Sequence, residues 1–148
     1  MTSTLPPPDG QAFAGDGMLE REIARLVRKY GIQSAVETGT HQGVTSRALA
    51  GMVEDVYTVE IHDGLFADAQ LRLADVPSVK QFHGASPDVL PGLLPDIRKP
   101  ALYYLDAHWH GNFPLPQELE IIAACDSSPV IVMHDMSVPG HPDLHADP

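Results

Sequence analysis

The stretch AVETGTHQG, residues 35–43, decides how the rest of this 148-residue chain is read. Ala35 to Thr38 is a short apolar run that reads as a strand. It ends in Glu37-Thr38-Gly39-Thr40-His41-Gln42-Gly43, with glycines at both ends of a tight strand-to-helix turn. Gly39 can take positive φ and puts no side chain in front of a ligand. Gly43 lets the next helix start close to the strand. Such a turn aims backbone N–H groups and a helix N-terminus at whatever binds there. Two glycines four apart are a weak signal alone, since many turns carry them.

Upstream, Gly17 to Tyr30 reads as a helix with Met18, Ile23, Leu26, Val27 and Tyr30 largely on one face and Gly31 as its stop signal. Residues 1–16 begin MTSTLPPPDGQ and read as a flexible, extended arm. Downstream, helices are expected over Val44–Val53, Leu65–Ala74, Asp88–Leu94 and Leu115–Cys125, with Pro91 in the first turn of the third or breaking it. Strands are expected over Val56–Ile61, Val79–His83, Ala101–Asp106 and Val130–His134, the last nearly all apolar. This alternation implies an α/β domain with right-handed crossovers and a mostly parallel sheet covered on both faces. The domain is expected over residues 17–140, with a loop-like tail at 141–148. Ligands in such sheets bind outside the carboxyl ends of the strands. The stretches to read for function are therefore Glu37–Gly43, Glu60–Asp63, His83–Ser86, Asp106–His110 and His134–Ser137.

Composition narrows the classes. The chain suits one domain with one core. Its formal net charge is −11, from 20 acidic and 9 basic residues. That argues against a nucleic-acid or anionic membrane surface, both of which draw on clustered Lys and Arg. It fits an enzyme of small molecules. Cys125 is the single cysteine, so neither an internal disulfide nor a cysteine metal cage is available. Cytoplasm is the expected compartment. No apolar run approaches the roughly 18 to 20 residues of a membrane helix, and the first residues lack a signal-peptide pattern. No G-x-S-x-G elbow is present, and Cys125 falls at a helix end away from the expected ligand edge.

Two carboxylates sharpen the turn. Glu60 ends the second strand, where it can accept two hydrogen bonds from ribose hydroxyls, a logic shared by nicotinamide and adenosylmethionine sites. Glu37 separates them. It precedes the first glycine, and no G-x-G-x-x-G is present. A carboxylate there repels a diphosphate but favours a cationic methionine group, directly or through water.

With these residues the chain resembles the class I S-adenosylmethionine-dependent methyltransferases. ETGTHQG fits their E/D-x-G-x-x-x-G first motif, and Glu60 fits their acidic ribose ligand. His83-Gly84-Ala85-Ser86 stands where their third strand is followed by a loop against the adenine. Leu105-Asp106-Ala107-His108-Trp109 stands at their fourth-strand active-site motif. The resemblance runs from about Met18 to Gly140. It implies a Rossmann-like, doubly wound sheet in the order 3-2-1-4-5. It implies S-adenosylmethionine bound by Glu37, Thr38, Gly39, Thr40, Gly43, Glu60, Ile61, Gly84, Ala85, Ser86 and Asp106. The catalytic candidates are Asp106, His108 and His134, which would position or deprotonate a small-molecule methyl acceptor, perhaps at oxygen.

Asp106, His108 and His110 follow the fourth strand, and His134 and Asp135 follow the fifth. The pattern is similar to metal-dependent O-methyltransferases, which place an Asp after the fourth strand and an acidic pair after the fifth. Asp106, His134 and Asp135 are thus candidate ligands for a divalent ion. Carboxylates suit Mg²⁺ or Mn²⁺, and the imidazole pulls toward Zn²⁺. His134 departs from the acidic pattern. His41 lines the site or faces water, and Trp109 is a packing anchor or a substrate wall.

The full fold of the resembling family has two further strands after the fifth. Their absence is read in three ways: a piece of a longer protein, a fifth-strand edge that pairs with a second copy, or a reduced binding domain that does not catalyse. The leading expectation is a methyltransferase. A silent adenosylmethionine- or adenosylhomocysteine-binding or assembly domain is the alternative, and a metal-dependent hydrolase or isomerase is a weaker one.

Overall fold

Five parallel strands hydrogen-bond in the order β3-β2-β1-β4-β5, as expected. They are β1 Ser34–Thr38, β2 Asp55–Glu60, β3 Val79–His83, β4 Ala101–Leu105 and β5 Val130–Met133. The helices are α1 Gly17–Tyr30, α2 Val44–Ala50, α3 Asp63–Arg72, α4 Ser86–Leu93 and α5 Leu115–Cys125, with short 3-10 turns at Ala12–Gly15 and Leu94–Asp96. The computed structural model describes residues 6–107, 111 and 113–134. Among them no helix is long and apolar enough to cross a membrane.

Side-chain alternation divides the core in two. On β4, Tyr103 and Leu105 face one side with Val36, Val59, Leu90, Leu94, Leu115 and Ile122. Leu102 and Tyr104 face the other with Ala35, Val56, Ile23, Val27 and Leu49. A sheet covered on both faces buries every residue of β1 and β4. The register pairs Thr38 with Leu105, Glu60 with His83, and Leu105 with Met133, so the carboxyl ends of the strands form one edge.

Local chemistry sets the element ends. Asp16 caps α1, its Oδ1 accepting from the N–H groups of Met18 and Leu19 at 2.9 and 3.0 Å. Gly31 closes α1 in the left-handed region. α2 ends at Ala50, three residues before the expected Val53, because Gly51 turns the chain and buried Val53 points back to the core. α3 starts at Asp63, two residues earlier than expected, with that carboxylate in the first turn. Pro87, rather than Pro91, occupies the first turn of α4; Pro91 lies inside a helix that continues to Leu93. Cys125 closes α5 at the edge opposite the strand ends, where Lys99 donates to its carbonyl.

Within the expected loose arm over residues 1–16, Ala12–Gly15 form a 3-10 turn against the domain. Phe13 is fully buried and meets Tyr104 edge-on, with ring centroids 5.5 Å apart. Its N–H donates to Thr45 Oγ1 on α2 at 3.0 Å. Burying one aromatic side chain is worth about 1.5 to 3 kcal/mol, which offsets part of the entropy cost of ordering residues 12–15.

Candidate functional site

The carboxyl ends of β1 to β4 open onto a cleft of about 650 Å³. Gly39 and His41 line it after β1, and Val59, Glu60, Ile61 and His62 at the end of β2. Leu65 reaches it from α3, Gly84 and Ser86 from beyond β3, and Asp106 and Ala107 from beyond β4. This is the ligand edge expected of a sheet whose strand order reverses at β1 and β4.

Gly39 makes the floor close. Its φ is +87°, and a Cβ there would lie 2.9 Å from the backbone oxygen of Asp106. Glycine alone allows the turn after β1 to touch the end of β4. Gly43 lies outside the lining, left-handed at φ +77° and packed against Leu73.

Glu60 joins the two loops that flank the cleft. Its Oε2 accepts from the N–H of His41 at 2.8 Å, and its Oε1 from the N–H of His62 at 2.9 Å. Each carboxylate oxygen keeps a lone pair for a further donor. Glu60 is 6% exposed and lines the cleft.

Glu37 sits behind that wall, 1% exposed and outside the lining. Ser46 from α2 and Thr58 from β2 both donate to its Oε2, Thr58 at 2.7 Å. Burial pushes the Glu37 carboxyl up to about 7; these hydrogen bonds oppose the rise, and the negative charges of Asp106 and Glu60 add to it. Thr38 and Thr40 are also buried behind the cleft, and Ala85 precedes α4 outside the lining.

Asp106 and His134 meet as expected of neighbouring strand ends. His134 Nδ1 lies 3.2 Å from Asp106 Oδ1, and the His134 N–H bonds to the Leu105 carbonyl. Asp106 lines the cleft, and His134 is outside the lining. Asp135 and His108, the other metal and catalytic candidates, lie outside the described residues. Among the described residues no three His, Cys, Asp or Glu side chains are grouped to hold a metal ion.

One buried carboxylate has no counterpart in the sequence reading. Glu118 on α5 is 1% exposed, and its Oε1 accepts from the hydroxyl of Ser86. Burial pushes its carboxyl up against that hydrogen bond. The signal was available: Glu118 is three residues after Leu115 and four before Ile122, both buried, so it falls on the apolar face of α5.

No family model matches the sequence, and no curated protein matches it. Solved structures do. The O-methyltransferase TomG from Streptomyces achromogenes, involved in tomaymycin synthesis and solved with SAM, superposes with a TM-score of 0.65 at 22% identity. That match covers 94% of this chain and 66% of that one. This chain shares its fold with that methyltransferase structure. SAH-bound methyltransferase PaMTH1 from Podospora anserina gives a TM-score of 0.66 at 14% identity over 85% of this chain and 60% of that one. The Bacillus cereus O-methyltransferase in complex with SAH gives 0.63 at 18% identity over 80% and 54%. The chain thus spans roughly three fifths of the length of these structures, and at these identities the likeness is one of fold.

Proposed function

We propose that this chain is an S-adenosylmethionine-dependent methyltransferase acting on a hydroxyl of a small molecule. One observation carries the reading: Glu60, at the end of β2, faces the cleft with its carboxylate fixed by backbone N–H groups from both flanking loops. A carboxylate held in this way suits a ribose diol, and the turn after β1 has no G-x-G-x-x-G to take a diphosphate.

The roles follow from position. Glu60 holds the ribose. Ile61, Leu65 and Gly84 give the apolar, close-walled end that suits adenine, with Ser86 beside them. Gly39, closed on the Asp106 backbone, gives the floor under the methionine group. Glu37 braces the turn from behind. Transfer joins the acceptor oxygen to the methyl carbon and breaks the carbon–sulfur bond, whose electron pair stays on sulfur to give neutral adenosylhomocysteine. The acceptor's proton goes to the Asp106 carboxylate, which lines the cleft with His134 Nδ1 3.2 Å from its Oδ1. Most of the rate comes from aligning donor and acceptor.

A divalent ion would acidify the acceptor hydroxyl if held at Asp106, His134 and Asp135. The described part of that set is two donors, short of a complete site, and no step here depends on it. Association of two copies along the β5 edge, and a cytoplasmic setting inferred from the single cysteine, belong to the same proposal.

Calorimetric titration with adenosylmethionine, adenosylhomocysteine and NAD, each with and without EDTA, tests the reading. Binding of the first two and not of NAD supports it, and no binding of either overturns it. EDTA-insensitive adenosylhomocysteine affinity is expected. A complex that binds donor and methylates no hydroxyl compound from a broad acceptor panel favours a silent binding domain.

A further inference from the structure

All nine Lys and Arg residues lie within the described part of the chain, and none lines the cleft. Several are engaged elsewhere: Arg47 with Asp75, Arg98 with Asp55 and Glu54, Arg25 with Glu22, and Lys80 with Asp55. The charged residues of the described lining are Glu60 and Asp106. The proposed donor, however, carries an α-carboxylate beside its ammonium and sulfonium. An anion brought among carboxylates needs a hydrogen-bond donor. Ser86 already gives its hydroxyl hydrogen to Glu118. That leaves two side chains with N–H groups in the described lining, His41 and His62.

Position separates the two. His62 precedes α3, on the side of Glu60 that leads toward β3. His41 lies in the turn after β1, two residues beyond Gly39, which itself packs on Asp106 at the end of β4. With the ribose on Glu60 and adenine toward β3, the amino-acid tail falls on the β1–β4 side, beside His41. The backbone adds a second observation. His41 is left-handed at φ +49°, a conformation disfavoured for side chains with a Cβ, and its N–H is fixed on Glu60 Oε2. His41 is exposed and lines the cleft, in a turn that the Gly43 N–H closes on the Thr40 carbonyl at 2.9 Å.

We propose that His41 is a binding residue that donates a ring N–H to the α-carboxylate of the donor and thereby selects the intact amino-acid tail. The inference rests on the adenosylmethionine reading above. Adenosylmethionine and decarboxylated adenosylmethionine differ by that carboxylate alone. Their Kd values are measured by calorimetry on the full chain, with His41→Gly, His41→Asn and His62→Ala. Glycine and asparagine both tolerate the left-handed turn. Retained binding of 5′-methylthioadenosine, which lacks the tail, shows that each variant keeps its fold and nucleoside site.

Relative to wild type, the preference for the carboxylate-bearing ligand falls about tenfold or more in His41→Gly and His41→Asn, as expected for loss of a charge-assisted hydrogen bond. It is unchanged in His62→Ala. A preference that survives in both His41 variants, or that is lost in His62→Ala instead, overturns the proposal while leaving the adenosylmethionine reading intact. Failure of wild type to bind any of these ligands overturns the reading itself, and the inference with it.

Discussion

Thr58 on β2 donates its hydroxyl hydrogen to Glu37 Oε2 on β1, 2.7 Å across the sheet. A hydroxyl has one hydrogen to give. The contact between Thr40 Oγ1 and Thr58 Oγ1, at 2.6 Å, must therefore run from Thr40 to Thr58. Ser46 donates to the same Glu37 oxygen. The chain Thr40 to Thr58 to Glu37, joined by Ser46, ties the turn after β1 to β2 and α2. The acidic residue of the turn is thus hydrogen-bonded from inside the protein, one layer below the cleft.

That burial makes stability depend on pH. The Glu37 carboxyl stands at about 7 in the fold against an ordinary 4.5. Between those values the folded chain holds a proton that the unfolded chain has released. The stabilising protonated form is fully present below about 4.5, and its contribution is lost as pH rises to about 7. Glu37→Gln does not titrate. The stability of Glu37→Gln relative to wild type should therefore rise by roughly 3 kcal/mol between pH 4 and pH 8. Urea unfolding of both proteins across that range measures it. A difference that does not change with pH refutes the buried, proton-holding carboxyl.

The two turn glycines should respond unequally. A methyl group at Gly39 meets the backbone oxygen of Asp106 at 2.9 Å, and backbone cannot easily yield. One at Gly43 meets Leu73 Cδ1 at 2.8 Å, the far end of a flexible side chain. Both positions are left-handed, which costs about 1 to 2 kcal/mol with a Cβ. Gly43→Ala should lose about that much, and Gly39→Ala more, together with adenosylhomocysteine binding. Thermal melts and calorimetry read both effects. Equal destabilisation would show that the turn after β1 relaxes away from Asp106.

Much of this was legible in the sequence, and the exceptions share a cause. β1 and β4 show as apolar runs because sheet faces covered by helices demand them. Gly39 and Glu60 show because a ligand edge needs a close turn and a polar strand end. Phe13 did not show: a lone aromatic in a Pro- and Gly-rich segment has no period to betray it. Ser46 and Thr58 did not show as partners of Glu37, because they converge from a helix and a neighbouring strand. Pattern along the chain reveals which face a residue takes, and it does not reveal what lies across from it.

Phe13 gives the direct test of the anchored segment. It is fully buried between Tyr104 and the α1–α2 layer. Phe13→Ala removes the ring and leaves a cavity, at a cost of roughly 3 to 5 kcal/mol. Chemical denaturation should show that loss with the cooperativity unchanged. A change below about 0.5 kcal/mol, typical of surface positions, would mean that residues 12–15 are not docked in solution.

Glu60 is the residue on which binding should turn. Glu60→Ala leaves the N–H groups of His41 and His62 without their acceptor and takes away the proposed ribose partner. Adenosylhomocysteine affinity should fall by roughly 1 to 3 kcal/mol. Glu60→Gln is no milder in kind. Its carbonyl can serve one of the two N–H groups, but its amide then presents hydrogens to the other, donor against donor. Looser loops alone would also weaken binding, so affinity by itself does not separate bracing from contact. The 2′-deoxy analogue of adenosylhomocysteine does. Wild type should favour the parent nucleoside over the analogue, and Glu60→Ala should bind the two alike. If the preference for the 2′-hydroxyl persists without the carboxylate, Glu60 is a brace for the two loops and the ribose is held by another group.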